Sequence, residues 1–155
     1  MDKVKKYMQM AIKEARKAYE KDEVPIGAVI VLDDKIIAKG HNLTEKTQKA
    51  TAHAEMIAIE KANKKLHSWR LDGAILFVTV EPCAMCAGAI ANARIKKVYF
   101  GAYESKSGCA QSKYHLLEDN GLNHKTQYEG GIEEQTCASL LKEYFRQKRR
   151  EKGAK

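Results

Sequence analysis

The sequence contains no apolar run that approaches the roughly 20 residues of a membrane-spanning helix. It also lacks internal repeats, linkers and low-complexity segments ahead of a basic C-terminal tail. Its charged N-terminus (MDKVKK) has no apolar core of the kind found in secretory signals. These absences argue against a membrane protein and predict that the 155 residues form a single domain, 1–155.

Cysteine is scarce as well, with four residues in the chain. Two of them fall in one short motif, so too few remain for a framework of disulfide bonds. We therefore expect a protein of the reducing cytoplasm. Cys137 is predicted to be a small apolar core residue, and Cys109 has no predicted role.

The sequence does contain a candidate metal site. His53 and Glu55 lie in one segment (HAE), and Cys83 and Cys86 lie in a second (PCAMC) about thirty residues later. A structural zinc normally takes four protein ligands, whereas a catalytic zinc takes three and leaves one position for water. One imidazole and two thiols therefore predict one catalytic Zn²⁺ per chain, with Glu55 free to move protons. The alternative is a closed structural site completed by Cys109 or Cys137.

Both halves of this site are predicted at helix N-termini. Thr51 is a suitable N-cap for a helix whose first turn holds His53 and Glu55. The run 74–80 (AILFVTV) predicts a buried strand, after which Pro82 suits the first position of a second helix. Two helix N-termini would then meet over one ion, where their positive ends favour thiolates.

The rest of the pattern predicts an α/β protein. The expected elements are a helix over 4–19, a hairpin of 27–32 and 36–38, a helix from about 53, a strand over 74–80, a helix from 82, a strand over 95–102, a loop over 103–124, a strand near 126–128, and a basic helix from about 132 with a frayed tail over 151–155. Strands that alternate with helices after a hairpin indicate a mixed central sheet with helices on both faces.

Charge gives a separate indication of the substrate class. The net charge is +8, and the segment from Lys142 onward holds seven Lys or Arg and two Glu residues, a net +5 in fourteen residues. Beside Tyr144 and Phe145, such a run suits backbone contact and base stacking with nucleic acid. The more usual meaning of such a run is a solvated face. The spacing of Leu140, Leu141 and the two aromatic residues also fits an apolar stripe, which would place at least one aromatic in the core.

Longer motifs extend along nearly the whole chain. They are EVPIGA at 23–28, HN at 41–42, ATAHAEM at 50–56, SWRL at 68–71, EPCAMCAGAI at 81–90, FGA at 100–102, NH at 123–124 and YFR at 144–146. On these motifs the chain resembles the bacterial tRNA-specific adenosine deaminases of the cytidine deaminase superfamily. The resemblance implies a three-layer α/β/α cytidine-deaminase-like fold and a zinc-dependent homodimer. It also implies deamination of the wobble adenosine of a tRNA anticodon stem-loop to inosine.

The resemblance implies a substrate pocket around the metal. Asn42 would bind the base edge, the backbone of Ala54 would help hold the oxygen at C6, and Ile26 and Gly27 would shape the pocket wall. Glu55 would take a proton from the attacking water and deliver it to the ring nitrogen and the leaving ammonia. From the residues alone, an Asx-turn in a loop is the more usual role for such an asparagine, and only the resemblance favours a role in the pocket.

The implied RNA contacts lie outside the metal motifs. They are Arg70, Lys106, Asn123, His124, Tyr144, Phe145, Arg146 and Arg149. Without the resemblance, Trp69 and Arg70 would be a core anchor and a surface charge, and His41, His67 and His115 would be surface residues. The loop after residue 102 departs from the family pattern, with Glu104 in place of the usual Asp and AQSKY at 110–114 in place of the usual GSLM. The departures affect substrate preference more than zinc chemistry.

Two other classes of function fit part of the sequence. A free nucleobase or nucleoside deaminase would share the zinc motif, but the basic C-terminal helix would have no purpose. A non-catalytic RNA-binding module with a structural zinc would leave Glu55 unexplained. Charge therefore disfavours the first of these alternatives, and the three-ligand count disfavours the second.

Overall fold

The computed structural model describes residues 2–153. The elements in chain order are α1 (Lys3–Glu20), β1 (Gly27–Leu32), β2 (Lys35–His41), α2 (Thr44–Thr47), α3 (Ala54–Leu66), β3 (Ile75–Val80), α4 (Ala84–Asn92), β4 (Lys97–Ala102), β5 (Gln127–Glu129) and α5 (Glu134–Gly153). Each predicted helix and strand is present, and the short helix α2 was not predicted. Helix α5 continues through residue 153, and residues 154–155 of the predicted tail lie outside the described residues. The fraying of 151–155 stays a prediction. No helix within 2–153 is long and apolar enough to cross a membrane.

The five strands form one mixed sheet in the order β2-β1-β3-β4-β5. Strand β1 is antiparallel to both β2 and β3, whereas β3 and β4 are parallel, as are β4 and β5. The β1–β2 hairpin turns at Asp33 and Asp34, which both have positive φ angles, 51° and 60°. Aspartate tolerates this left-handed region better than most residues, so the pair fits the tight turn.

Helices cover both faces of the sheet. Residues of α3 and α4, such as Ala58 and Ile90, are buried in one apolar cluster with Ile30. Residues of α1 and α5, such as Met8 and Cys137, are buried in a second cluster on the other face. The predicted three-layer α/β/α fold with a mixed central sheet is therefore confirmed.

Two glycines allow helices to lie close to the sheet. A Cβ at Gly40 would overlap the α3 backbone at Ala54, and a Cβ at Gly27 would overlap the α1 backbone at Ala11. Helix α3 therefore packs against β2 more closely than a larger residue at position 40 would permit. A side chain at position 27 would point to α1. Gly27 can therefore contact a pocket on the α3 side only through its backbone.

Two side chains differ from the sequence-based expectation. His41 is not a surface residue, because its ring lies between the Glu14 carboxylate (Nδ1 to Oε1, 3.1 Å) and Lys21 Nζ (3.0 Å from Nε2). Trp69 is not a core anchor, because 61% of it is exposed. Cys137, in contrast, is a buried core residue as predicted.

Candidate active site

The candidate metal ligands lie where two helices begin. His53 is the N-cap of α3, and Cys83 is the N-cap of α4, with Cys86 in its first turn. The predicted cap at Thr51 and the predicted helical position of Pro82 are therefore wrong, because each helix starts two residues later. The prediction that two helix N-termini meet is correct, and the positive dipole ends of the two helices favour negative charge between them.

The three ligand atoms have the spacing of a metal site. They lie within 4.8 Å of one another, and His53 Nδ1 is 3.6 Å from the sulfur of Cys83 and 3.6 Å from that of Cys86. Zinc bonds of about 2.3 Å to sulfur and about 2.0 Å to nitrogen at a tetrahedral angle separate these atoms by roughly 3.5 Å. Cys109 and Cys137 are not members of the group. The residues therefore fit an ion with three protein ligands.

The electrostatic environment of the two thiols favours binding of a cation. A hydrogen bond from Cys86, supported by His53, lowers the pKa of the Cys83 thiol to about 4. Hydrogen bonding to Cys83 raises the pKa of His53, which favours a thiolate–imidazolium pair before metal binds. The adjacent thiolate and burial together raise the pKa of Cys86. A divalent cation would displace these protons, because it compensates both thiolates at once.

Glu55 stands beside the ligand group with unused hydrogen-bonding capacity. It lies in the first turn of α3, is 3% exposed, and its buried Oε1 has no hydrogen-bond partner among the described residues. Burial raises the pKa of its carboxyl to about 7. A buried carboxyl oxygen without a hydrogen-bond partner is costly for folding, so its position indicates a chemical role. A proton acceptor near neutral pH is what this environment provides.

Asn42 connects two parts of the predicted pocket wall. Its Oδ1 accepts a hydrogen bond from the Ala54 N–H (2.8 Å), and its own N–H donates to the Ile26 carbonyl (3.1 Å). The Asx-turn alternative is wrong, because the side-chain partner lies 12 residues away. The Ala54 N–H is thus already paired, whereas the Asn42 Nδ2 makes no hydrogen bond within residues 2–153 and remains a donor.

Sequence reasoning missed the role of Glu81. This side chain is 3% exposed, and it accepts hydrogen bonds from the backbone N–H groups of Glu104 (3.1 Å), Ala110 (3.1 Å), Gln111 (2.8 Å) and Ser112 (2.8 Å), and from the Ser112 hydroxyl. Burial raises the pKa of Glu81, but these hydrogen bonds outweigh burial and leave the pKa below its ordinary value. The only sequence signal was a carboxylate immediately before Pro82.

The predicted RNA contacts are not equally accessible. Lys106, Asn123, Arg146 and Arg149 are exposed, and Phe145 is 44% exposed. Arg70 is exposed and pairs with Asp72. His124 is partly buried, with Nε2 on the Ile95 carbonyl (2.8 Å).

Tyr144 corrects the prediction for the C-terminal helix. It is 6% exposed, its ring packs edge-on against Tyr19, and its hydroxyl donates to the Asp22 carbonyl (3.1 Å). It belongs to the core and is unavailable for base stacking. The neighbouring Phe145 instead lines an open groove of about 450 Å³ with Tyr103, Arg146 and Arg149.

Comparison with known proteins gives consistent matches. The family of MafB19-like deaminases matches residues 1–149, a range that includes all the candidate ligands. The tRNA-specific adenosine deaminase of Bacillus subtilis strain 168 is 50% identical over 148 residues, which cover 96% of this chain and 92% of that protein.

Solved structures give matches of two kinds. One comes from a study of A-to-I editing by tRNA:A34 deaminases at the wobble position of transfer RNA. It is 44% identical with a TM-score of 0.84, over 87% of this chain and 98% of that chain. The other is a guanine deaminase from Bacillus subtilis, 42% identical with a TM-score of 0.61 over 63% of each chain.

Proposed function

This chain belongs to the MafB19-like deaminases and, within them, to the tRNA-specific adenosine deaminases, and on that basis we propose that it converts the wobble adenosine of a tRNA anticodon loop to inosine. The observation that carries the proposal is the group of three ligand atoms beside a buried carboxyl whose Oε1 has no hydrogen-bond partner among the described residues. Three ligands and a free proton carrier are the requirements of a hydrolytic metal site.

We propose that His53, Cys83 and Cys86 hold one Zn²⁺ per chain. When bound, zinc supplies Lewis acidity that brings the pKa of water to about 7. The two helix N-termini would hold the thiolates in position, and the imidazole would bind through Nδ1, the nitrogen that faces both sulfurs.

Glu55 is the proposed catalytic residue. Its carboxylate accepts a proton from water as the oxygen attacks C6 of adenine, and it passes that proton to the ring nitrogen. Glu55 then takes the remaining proton of the oxygen now bonded to C6 and delivers it to the amino nitrogen. The C6–N bond breaks, the C6 carbonyl forms, and ammonia leaves. Adenosine and water thus give inosine and ammonia. Burial raises the pKa of the Glu55 carboxyl to about 7, which suits a group that must both accept and donate a proton.

The direct test is inosine formation from an anticodon stem-loop RNA that carries adenosine at the wobble position. Free adenosine, cytidine and guanine serve as parallel substrates, because one structural match is a guanine deaminase. We expect inosine from the stem-loop and little product from the free compounds. Deamination of guanine without activity on RNA would contradict the proposal.

Asn42→Ala is expected to lower kcat/KM for the stem-loop by about 5- to 150-fold, because a hydrogen bond to the base edge contributes about 1–3 kcal/mol. The variant should also lower the melting temperature, since the buried Ala54 N–H loses its acceptor. Steady-state kinetics and thermal unfolding measure the two effects.

Asn42→Asp separates these effects. Aspartate retains the acceptor for Ala54 but replaces the free Nδ2 donor with an oxygen. We therefore expect near-normal melting with reduced kcat/KM. Normal kcat/KM in both variants would remove Asn42 from the substrate pocket.

We propose that the exposed cations of α5 contact the RNA backbone. Arg146, Arg149 and Arg150 are exposed, whereas Lys148 is engaged by Asp22 at 2.6 Å and belongs to the folded structure. Changing the three arginines to Gln should weaken stem-loop binding. For each arginine–phosphate interaction that the substitutions remove, the slope of log affinity against log salt should fall by about 0.7 to 0.9.

The matched control for this experiment lies on α1. Lys6, Lys13 and Arg16 are also exposed, so changing them to Gln removes the same number of charges from another helix. We expect the α1 variant to keep a steeper salt slope than the α5 variant. Equal slopes would show that only net charge matters and that α5 is a solvated face.

We further propose a homodimer that acts in the cytoplasm. Large apolar side chains are exposed on one chain, among them Leu66 (37%), Trp69 (61%) and Tyr114 (57%), and a second copy would cover such surface. Sedimentation at micromolar concentration should give the mass of two chains, and the mass of one chain would contradict the dimer.

A further inference from the structure

We infer that Glu81 is a positioning residue that fixes the 104–112 loop beside the metal ligands and thereby sets the affinity for the RNA substrate. This inference rests on the proposed function, since the loop contains one predicted RNA contact, Lys106. The residue lies just beyond the end of β3 and two positions before Cys83. It touches neither the ligand group nor any substrate atom proposed above.

The Glu81 carboxylate is the centre of the loop's hydrogen bonding. Oε1 accepts from the Glu104 N–H and the Ser112 hydroxyl, and Oε2 accepts from the N–H groups of Ala110, Gln111 and Ser112. Both ends of the loop therefore bind one buried charge. In surface loops, backbone N–H groups seldom converge on one side chain in this way. An anion that accepts hydrogen bonds from several N–H groups strongly restrains the loop that carries them.

Steric fit supports the same conclusion. A Cβ at Gly108 would overlap the Glu81 carboxylate and the Glu104 carbonyl, so only glycine permits the loop to close over the charge. The Gly108 N–H also donates to that carbonyl at 2.8 Å. The loop is thus shaped around the carboxylate.

The restraint extends to the candidate active site and to the RNA surface. The Cys109 N–H donates to the Pro82 carbonyl (2.8 Å), which joins the loop to the residue before Cys83. On the other side, the Glu104 carboxylate accepts the Lys106 N–H (3.0 Å). Tyr103 and Glu104 also line the groove that contains Phe145. A displaced loop would therefore misplace Lys106 and this groove relative to the metal, without removing a ligand.

Glu81→Gln tests the inference in the zinc-loaded enzyme. Glutamine replaces one carboxylate oxygen with an NH₂ group, which donates hydrogen bonds. The loop groups that donated to that oxygen therefore lose their acceptor. We expect KM for the anticodon stem-loop to rise at least about 10-fold, with kcat within about 3-fold of the parent and zinc content unchanged. Ser112→Ala, which removes one of the five hydrogen bonds, should raise KM by about 2- to 5-fold.

Hydrogen exchange measures the loop without any substrate. Amides of 110–112 should exchange faster in Glu81→Gln, while those of α3 and β3 should not change. The control is Glu60→Gln on the exposed face of α3, which should match the parent in kinetics and exchange.

The outcomes separate the two proposals. If Glu81→Gln shows parental KM and parental exchange over 110–112, Glu81 is not a positioning residue. If that variant fails to fold, unchanged KM and exchange in Ser112→Ala overturn the inference in the same way. If the parent enzyme itself makes no inosine from the stem-loop, the proposed function fails, whereas the exchange experiment still tests whether Glu81 holds the loop.

Discussion

Glu55→Ala is expected to keep one zinc ion per chain and to lose about 10²- to 10⁴-fold in kcat, the range usually contributed by general acid–base catalysis. The residue is 3% exposed and is not a member of the ligand group, so its removal leaves three metal ligands. Because Oε1 has no hydrogen-bond partner among the described residues, the substitution should not lower the melting temperature substantially. Metal analysis and single-turnover inosine formation measure the two predicted effects.

Glu60→Ala is the matched control for this experiment. It removes a carboxylate from the same helix, but from an exposed position about one and a half turns away, and should retain activity. Loss of zinc from Glu55→Ala would make Glu55 a ligand or a support of the ligands. Near-normal turnover in that variant would exclude Glu55 as the proton carrier.

The pH dependence of the parent enzyme tests the same assignment. Only the carboxylate form of Glu55 can accept a proton from water, so activity should fall as pH decreases through its pKa. Burial raises that pKa from 4.5 to about 7, whereas a bound cation lowers it. The acid limb of kcat/KM is therefore expected between pH 4.5 and 7, and a limb below this window would contradict a buried base.

The group of candidate metal ligands could be predicted because two of its three members lie close together in the sequence. Cys83 and Cys86 are three residues apart at the start of one helix, and the strand–helix pattern brings a second helix N-terminus to them. The exact caps were not predictable: Thr51 is a good capping residue by type, but His53 occupies the cap position and Asn42 accepts the Ala54 N–H instead. A tertiary contact replaced the local cap.

Contacts between distant segments account for the other differences. Nothing near Glu81 in the sequence indicates that it accepts hydrogen bonds from residues 23 to 31 positions later. The apolar stripe predicted for α5 did not decide which of Tyr144 and Phe145 is buried, because both residues lie near the edge of the stripe. Packing against Tyr19 of α1 decides which of them is buried, and that contact spans most of the chain.

Cys86→Ala should lose zinc and deamination together, unlike Glu55→Ala. Cys86 is fully buried, and its sulfur lies 3.6 Å from the imidazole nitrogen of His53, so its removal leaves two of the three candidate ligands. Changes to residues that merely support ligands already weaken metal binding by about 10- to 100-fold, and removal of a thiolate ligand should exceed that range. Zinc content after dialysis against a chelator measures the loss.

Thermal unfolding with and without chelator gives a second measure of metal binding in Cys86→Ala. A metal that binds only the folded state raises the parent's melting temperature, so chelator should lower it in the parent and have little effect in the variant. Cys137→Ala is the matched control, since it also removes a buried thiol but from the α5 side of the sheet. It should be less stable because of a small cavity, yet retain zinc and activity. Loss of zinc from Cys137→Ala would instead favour the closed four-ligand site, whereas a Cys86→Ala variant that keeps zinc and turnover would exclude Cys86 as a ligand.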